Sequence, residues 1–208
     1  MKTIALLILI SLTSIVNAQT VYRTQNLNVG FGKVSNCSTN KYMDFCINGP
    51  LVASNQKPVG GYIDNGIQKQ DWVEPSIAGG NFAVGNGIFG LGFDGNLYMV
   101  SYSEAYRLPA MKWAFQNGPM LVQNGRNVRG TSASKYVRSG VGYRSDKTLI
   151  VIETDQPVTF REFAEMFVQE GCLNAIYLDG DDLYVGHADN SGSYGMVAEA
   201  TKLQFFNN

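Results

Sequence analysis

The chain has 208 residues, 45% of them hydrophobic and 12% aromatic, with 23 glycines and a formal net charge of -1. A chain of this size can bury a core without relying on disulfide staples, and a glycine content above the average of roughly 7% points to many tight turns. So small a net charge, with no basic stripe in the sequence, gives no electrostatic basis for binding nucleic acid or an anionic membrane surface.

At the start of the chain, Lys2 precedes an apolar stretch from Ile4 to Val16, which closes on the small-residue site Val16-Asn17-Ala18 before Gln19. This is the pattern of a secretory signal peptide over 1–18. The stretch is shorter than the roughly 20 residues of a spanning helix. The expectation is a secreted or periplasmic protein with no stable membrane insertion once the signal is removed, and a single domain over 19–208.

The next half is glycine-rich, with short apolar runs separated by Asp64-Asn65-Gly66, Gly85-Asn86-Gly87 and Asp94-Gly95-Asn96. Such turns between such runs predict antiparallel strands joined by hairpins. Further on, "TLIVIET" from Thr148 to Thr154 reads as a buried strand. Thr159 then caps a helix, with Glu162 completing a capping box. Phe160, Phe163, Ala164, Phe167 and Val168 recur at helical spacing as a stripe for packing on a sheet. Gly171 stops the helix, and "NAIYL" from Asn174 to Leu178 forms another strand. The fold class is therefore α+β: one domain of mixed, largely antiparallel sheets, with a strand-helix-strand unit near the C-terminus. If the two strands of that unit are parallel in one sheet, the crossover is right-handed and ligands gather beyond the carboxyl ends, where Asp179 lies.

The cysteines and the only histidine narrow the chemistry. Cys37 and Cys46 are close enough in sequence to close a small loop, and Cys172, just after the helix, reads as a buried small hydrophobe. Zinc is not expected, since there is no CxxC pair and His187 stands alone. Asp179, Asp181 and Asp182 begin like a calcium loop, but an EF-hand needs glycine at the sixth position and glutamate at the twelfth, where this chain has Tyr184 and Asn190. An irregular calcium site using Asp181, Asp182 or Asp189 stays open, and no cofactor is otherwise expected. Ser132, Ser134 and Ser139 lack a nucleophile elbow, and His187 reads as a loop residue without a catalytic role.

The blocks "GGNFAVGNGIFGL", "FQNGPMLVQNGR", "VRSGVGY", "PVTFREFAEMFVQEGCLNAIYLDG" and "YGMV" occur in an order that resembles a bacterial branch of the phosphodiester glycosidase family. That family also contains the lysosomal uncovering enzyme. The resemblance runs from about Asn48 to Val197. It implies an exported hydrolase of sugar-1-phosphodiesters, with a glycan or sugar phosphate as partner. In that chemistry the departing phosphate needs a cation and amide donors, and the sugar needs a carboxylate.

The resemblance marks Arg138 as the phosphate ligand, since an arginine fork can hold two oxygens at once; by itself Arg138 reads equally as an exposed arginine paired with an acid. It marks Asp179 as the carboxylate, whether nucleophile, base or stabiliser, with Gly180 allowing close approach; by itself Asp179 reads equally as an exposed turn aspartate before glycine. Glu153 is either a second carboxylate at the same sheet edge or a solvated strand-end acid. Asn48, Gly49, Asn117 and Gly118, with Gln116 beside them, are either substrate-binding groups or hairpin turns. Two departures from the family pattern stand out: Pro50, Leu51 and Val52 follow Asn-Gly, and Asp181, Asp182 and Leu183 follow Asp-Gly. Two further carboxylates repel a phosphodiester unless a cation intervenes. The alternative is therefore a carbohydrate-binding or phosphoglycan-binding protein that keeps the fold without turnover.

Overall fold

The computed structural model describes residues 19–24, 28–33, 43–51, 58–75, 86–131, 133–178, 186–187 and 201–206. In chain order the strands begin with β1 (Gln19–Thr24), β2 (Asn28–Lys33), β3 (Met43–Asn48), β4 (Tyr62–Asp64) and β5 (Ile67–Gln70). They continue with β6 (Gly87–Gly92), β7 (Leu97–Ser101), β8 (Met111–Asn117), β9 (Met120–Gln123) and β10 (Arg126–Asn127). A second group holds β11 (Ser139–Tyr143), β12 (Leu149–Thr154), β13 (Asn174–Leu178), β14 (Gly186–His187) and β15 (Thr201–Phe206). One α-helix, α1 (Phe160–Gln169), and a 3-10 segment, Tyr102–Arg107, complete the described elements.

These strands form a six-stranded sheet in the order β1-β12-β11-β13-β9-β10, a five-stranded sheet β5-β4-β8-β6-β7, and a four-stranded sheet β14-β3-β15-β2. All the pairings are antiparallel. The α+β class and the hairpins are as the sequence predicts. Asn65 and Gly66, at φ 48° and 76°, turn β4 into β5 in the left-handed region that Asn and Gly tolerate. His187, expected in a loop, instead pairs with Phe45 in β14.

The capping box at Thr159 and Glu162 is present, and Gly171 takes φ 75° just past the helix. β12 and β13 flank α1 in sequence and run parallel to one another, but β11 lies between them and pairs with both.

Strand residues alternate between faces, and the six-stranded sheet is consequently buried on both. Val141, Leu149, Val151, Ile176 and Leu178 pack against Phe89, Leu91, Met99, Trp113 and Phe115 of the five-stranded sheet. Phe89 meets Trp113 and Phe115 edge-on, at ring separations of 5.5 and 5.7 Å, a favoured aromatic geometry. Ile150, Ile152, Ala175 and Tyr177 turn the other way, onto Phe163, Ala164, Met166 and Phe167 of α1.

The glycines of β11 make the helix layer fit. A Cβ on Gly140 would stand 3.0 Å from Phe163 and 3.1 Å from Phe167, and one on Gly142 would stand 2.9 Å from both Phe167 and Cys172. Cys172 is buried and free, and burial pushes its thiol up to about 12. Of the two cysteines that could close a small loop, Cys46 lies in β3 and Cys37 lies outside the described residues.

At the open edge, Glu170 fastens β1 to the helix. It accepts from Arg23 Nη2 at 2.6 Å and from Arg144 Nη2 at 2.9 Å, and these bonds hold its carboxyl below the usual range.

Candidate functional site

One end of the six-stranded sheet gathers residues from distant parts of the chain. Ser139, the first residue of β11, lies opposite Leu178, the last of β13, and also opposite Glu153 of β12. Thr20 of β1 lies opposite Glu153. Directly opposed residues share a face, so Thr20, Glu153, Ser139 and Leu178 form a row turned toward the five-stranded sheet.

From that second sheet Asn117, at the end of β8, reaches the same place. Its Nδ2 donates to the carbonyl of Tyr177 at 2.6 Å, and its Oδ1 accepts from the backbone N–H of Leu51 at 3.2 Å. Leu51 follows Asn48, Gly49 and Pro50 out of β3, and Asn48 pairs through its backbone with Lys202. The segments that end at Asn48, Asn117, Ser139, Glu153 and Leu178 therefore meet at one end of the molecule. Asp179 and Gly180 follow Leu178 in the chain and lie outside the described residues, as do Asp181, Asp182 and Asp189.

Glu153 is half-buried in this row. Burial, reinforced by the charge of Asp155, pushes its carboxyl up to about 7. A carboxyl titrating near neutrality can hold or release a proton under working conditions, as a general acid or base must. Ser139 beside it is fully buried. Among the described residues no three His, Cys, Asp or Glu side chains cluster closely enough to hold a metal ion.

Arg138, the candidate phosphate ligand, does not face the same way as Glu153: alternation turns its side chain to the opposite face, under α1. There it is 2% exposed. Its Nε donates to the Val158 carbonyl at 2.9 Å and its Nη2 to the Ser134 carbonyl at 3.4 Å. The guanidinium carbon lies 3.6 Å from the centre of the Phe160 ring, with Tyr136 and Tyr177 at 5.5 and 5.9 Å. The backbone N–H of Arg138 donates to Thr154 Oγ1 at 3.0 Å. These contacts lock the start of β11 to the end of β12 and to the first turn of α1.

The Gln116 amide is occupied by the protein itself. Its Oε1 accepts from the N–H groups of Gly61 at 2.9 Å and Val73 at 2.8 Å. Its Nε2 donates to the Val73 carbonyl at 2.6 Å and to Asn86 Oδ1 at 3.2 Å. Two acceptor sites and two donor hydrogens exhaust a side-chain amide, so nothing is left for a substrate. Gly49, Asn117 and Gly118 are buried as well, and the Gly118–Pro119 peptide is cis. These residues form the floor of the sheet end.

The sequence reading missed Thr20 and Asn86 as members of these networks. Asn86 sat in a turn signal, and nothing local marks Thr20, which acquires its place only by pairing with β12.

Comparison with known proteins gives a family and a fold. A family model described as Phosphodiester glycosidase matches residues 42–182. The Escherichia coli (strain K12) protein YigE is 25% identical over 151 residues, which is 66% of this chain, and the chain spans 59% of that relative's length. The catalytic domain of zebrafish N-acetylglucosamine-1-phosphodiester alpha-N-acetylglucosaminidase, solved auto-inhibited by its pro-peptide, has the same fold. Its TM-score is 0.59 at 15% identity, over 91% of this chain and 83% of that one. A hypothetical protein from Synechocystis gives a TM-score of 0.49 at 11% identity, over 91% and 57% of the two chains.

Proposed function

The chain belongs to the phosphodiester glycosidase family, and from that premise we propose that it is an exported hydrolase cleaving the bond between an anomeric carbon and phosphate in glycosyl phosphodiesters of envelope or host glycans. In this reading 1–18 directs export and is then removed, leaving 19–208 as the catalytic domain. The observation that supports this reading is the meeting of the Asn48, Asn117, Ser139 and Leu178 segments beside a carboxyl poised near neutrality.

In this reading Asp179, one residue beyond β13, supplies the carboxylate at the anomeric carbon, and Gly180 leaves room for the sugar. Glu153 exchanges a proton with the attacking water or the leaving oxygen. Phosphate is a stable leaving anion, so the donors around it matter more than its protonation. Backbone amides of the Asn48-Gly49 segment serve as such donors. Arg138 acts as a positioning residue through its stack on Phe160.

A second reading, glycan binding without turnover, is favoured by one observation: the Arg138 guanidinium is spent on Val158, Ser134 and Phe160. Free-sugar release from a panel of sugar-1-phosphodiesters separates the two. The hydrolase reading expects release by the mature protein and a loss on the order of 100-fold or more in Asp179→Asn. Release that Asp179→Asn leaves intact removes Asp179 from catalysis, and binding with no release by the unmodified protein selects the second reading.

A further inference from the structure

On the far side of the five-stranded sheet, away from the six-stranded one, lies a groove of about 470 Å³ lined by Gln68, Asp71, Trp72, Tyr102, Ser103 and Tyr106. Among the described residues, three aromatic rings and three hydrogen-bonding side chains line this one open groove.

Both walls are built on the same buried amide pair. Gln116 holds Val73, and therefore Trp72, through two hydrogen bonds, and it donates to Asn86. The Asn86 carbonyl in turn accepts from the N–H of Tyr102 at 3.1 Å. Gly61 lets the indole lie against the backbone, since a Cβ there would stand 2.5 Å from Trp72. Tyr106 is 77% exposed, yet it is held: Arg107 Nε donates to its hydroxyl at 3.1 Å, and Arg107 is fixed by Glu104 at 2.6 Å.

The chemistry of the lining selects the ligand. Among the residues that line it is the Asp71 carboxylate, and the cation against the lining, the Arg107 guanidinium 5.5 Å over the Tyr106 ring, is paired with Glu104 at 2.6 Å, so phosphate and other anions are disfavoured. Flat rings match the C–H face of a pyranose, while carboxylate, amide and hydroxyl groups match its equatorial hydroxyls. We propose that this groove is a binding site for neutral saccharide chains, separate from the sheet end where Glu153 and Asn117 lie. Saccharide binding in the groove does not depend on whether that end hydrolyses anything.

The test is titration of the mature protein with neutral starch-type, cellulose-type and chitin-type hexasaccharides, followed by intrinsic tryptophan fluorescence, with no phosphodiester present. At least one is expected to bind. Tyr106→Ala, at an exposed position that the fold does not need, should weaken that binding at least tenfold, which is about 1.4 kcal/mol. Tyr106→Trp should keep it, and inorganic phosphate should not compete. No binding by any of the saccharides up to about 10 mM overturns the proposal. So does binding that Tyr106→Ala leaves unchanged, or a proline-rich peptide that occupies the groove in place of sugar.

Discussion

The two faces of the six-stranded sheet differ in kind at the end where Glu153 lies. On the helix side, Arg138 is sealed under Phe160, and Gly140 and Gly142 leave hollows that the Phe163 and Phe167 rings fill. On the other side, Glu153, Ser139 and Thr20 form a polar row with a carboxyl pushed up to about 7. The block "VRSGVGY" therefore splits by parity, with Arg138, Gly140 and Gly142 serving packing while Ser139 belongs to the polar row. A short motif in a strand is two motifs, one for each face.

Arg138→Ala should break this division most visibly. It removes a buried stem, a ring stack and the bond to the Val158 carbonyl, and should cost roughly 2–4 kcal/mol of stability in urea unfolding. Arg138→Lys should recover little, because an ammonium cannot stack flat on Phe160. Glu153→Ala, one pairing step away on the other face, should cost well under half as much. Equal losses for the two would mean that the faces are not divided as described.

Gly142→Ala is next in size. The added methyl would meet Phe167, the Cys172 sulfur and the Asn174 carbonyl, all at 2.9 Å, and overpacking of this kind costs about 1–3 kcal/mol. The measurement is again a urea midpoint. A neutral result would show that α1 can lift from β11, and that the glycines are not there to admit the rings.

How much of this was legible in the sequence follows the range of the interactions. The helix, its capping box and the flanking strands were readable because Thr159, Glu162 and Gly171 act within a turn or two of the chain. The insertion of β11 between β12 and β13 was not, since a strand holding Gly140 and Gly142 looks like a turn until the rings that need the space are known. β1 was unreadable for a similar reason: "QTVYRT" becomes a strand by pairing with β12 across more than a hundred residues. Gln116 read as a substrate donor because sequence shows an amide's capacity but not what consumes it. The saccharide groove joins Trp72 to Tyr102 and Tyr106, and no local pattern links those positions.

The smallest effect concerns the pH dependence of stability and bears on the polar row alone. Glu153 ionises at about 7 in the folded chain against an ordinary value of 4.5, because burial and the Asp155 charge disfavour its anion. Above 4.5 the unfolded chain has released this proton while the folded chain still holds it, so rising pH draws the equilibrium toward the unfolded state. The contribution is complete below 4.5 and is lost as pH climbs through about 7. Glu153→Gln, which cannot ionise, should flatten the stability profile across that window and raise the melting temperature at pH values above it, by an amount that solvent access to a half-buried group keeps small. Thermal melts across the window, with the unmodified protein alongside, give the comparison. If the profile stays unchanged in Glu153→Gln, the carboxyl is not perturbed, and the polar row loses the proton carrier that sets it apart from the helix face.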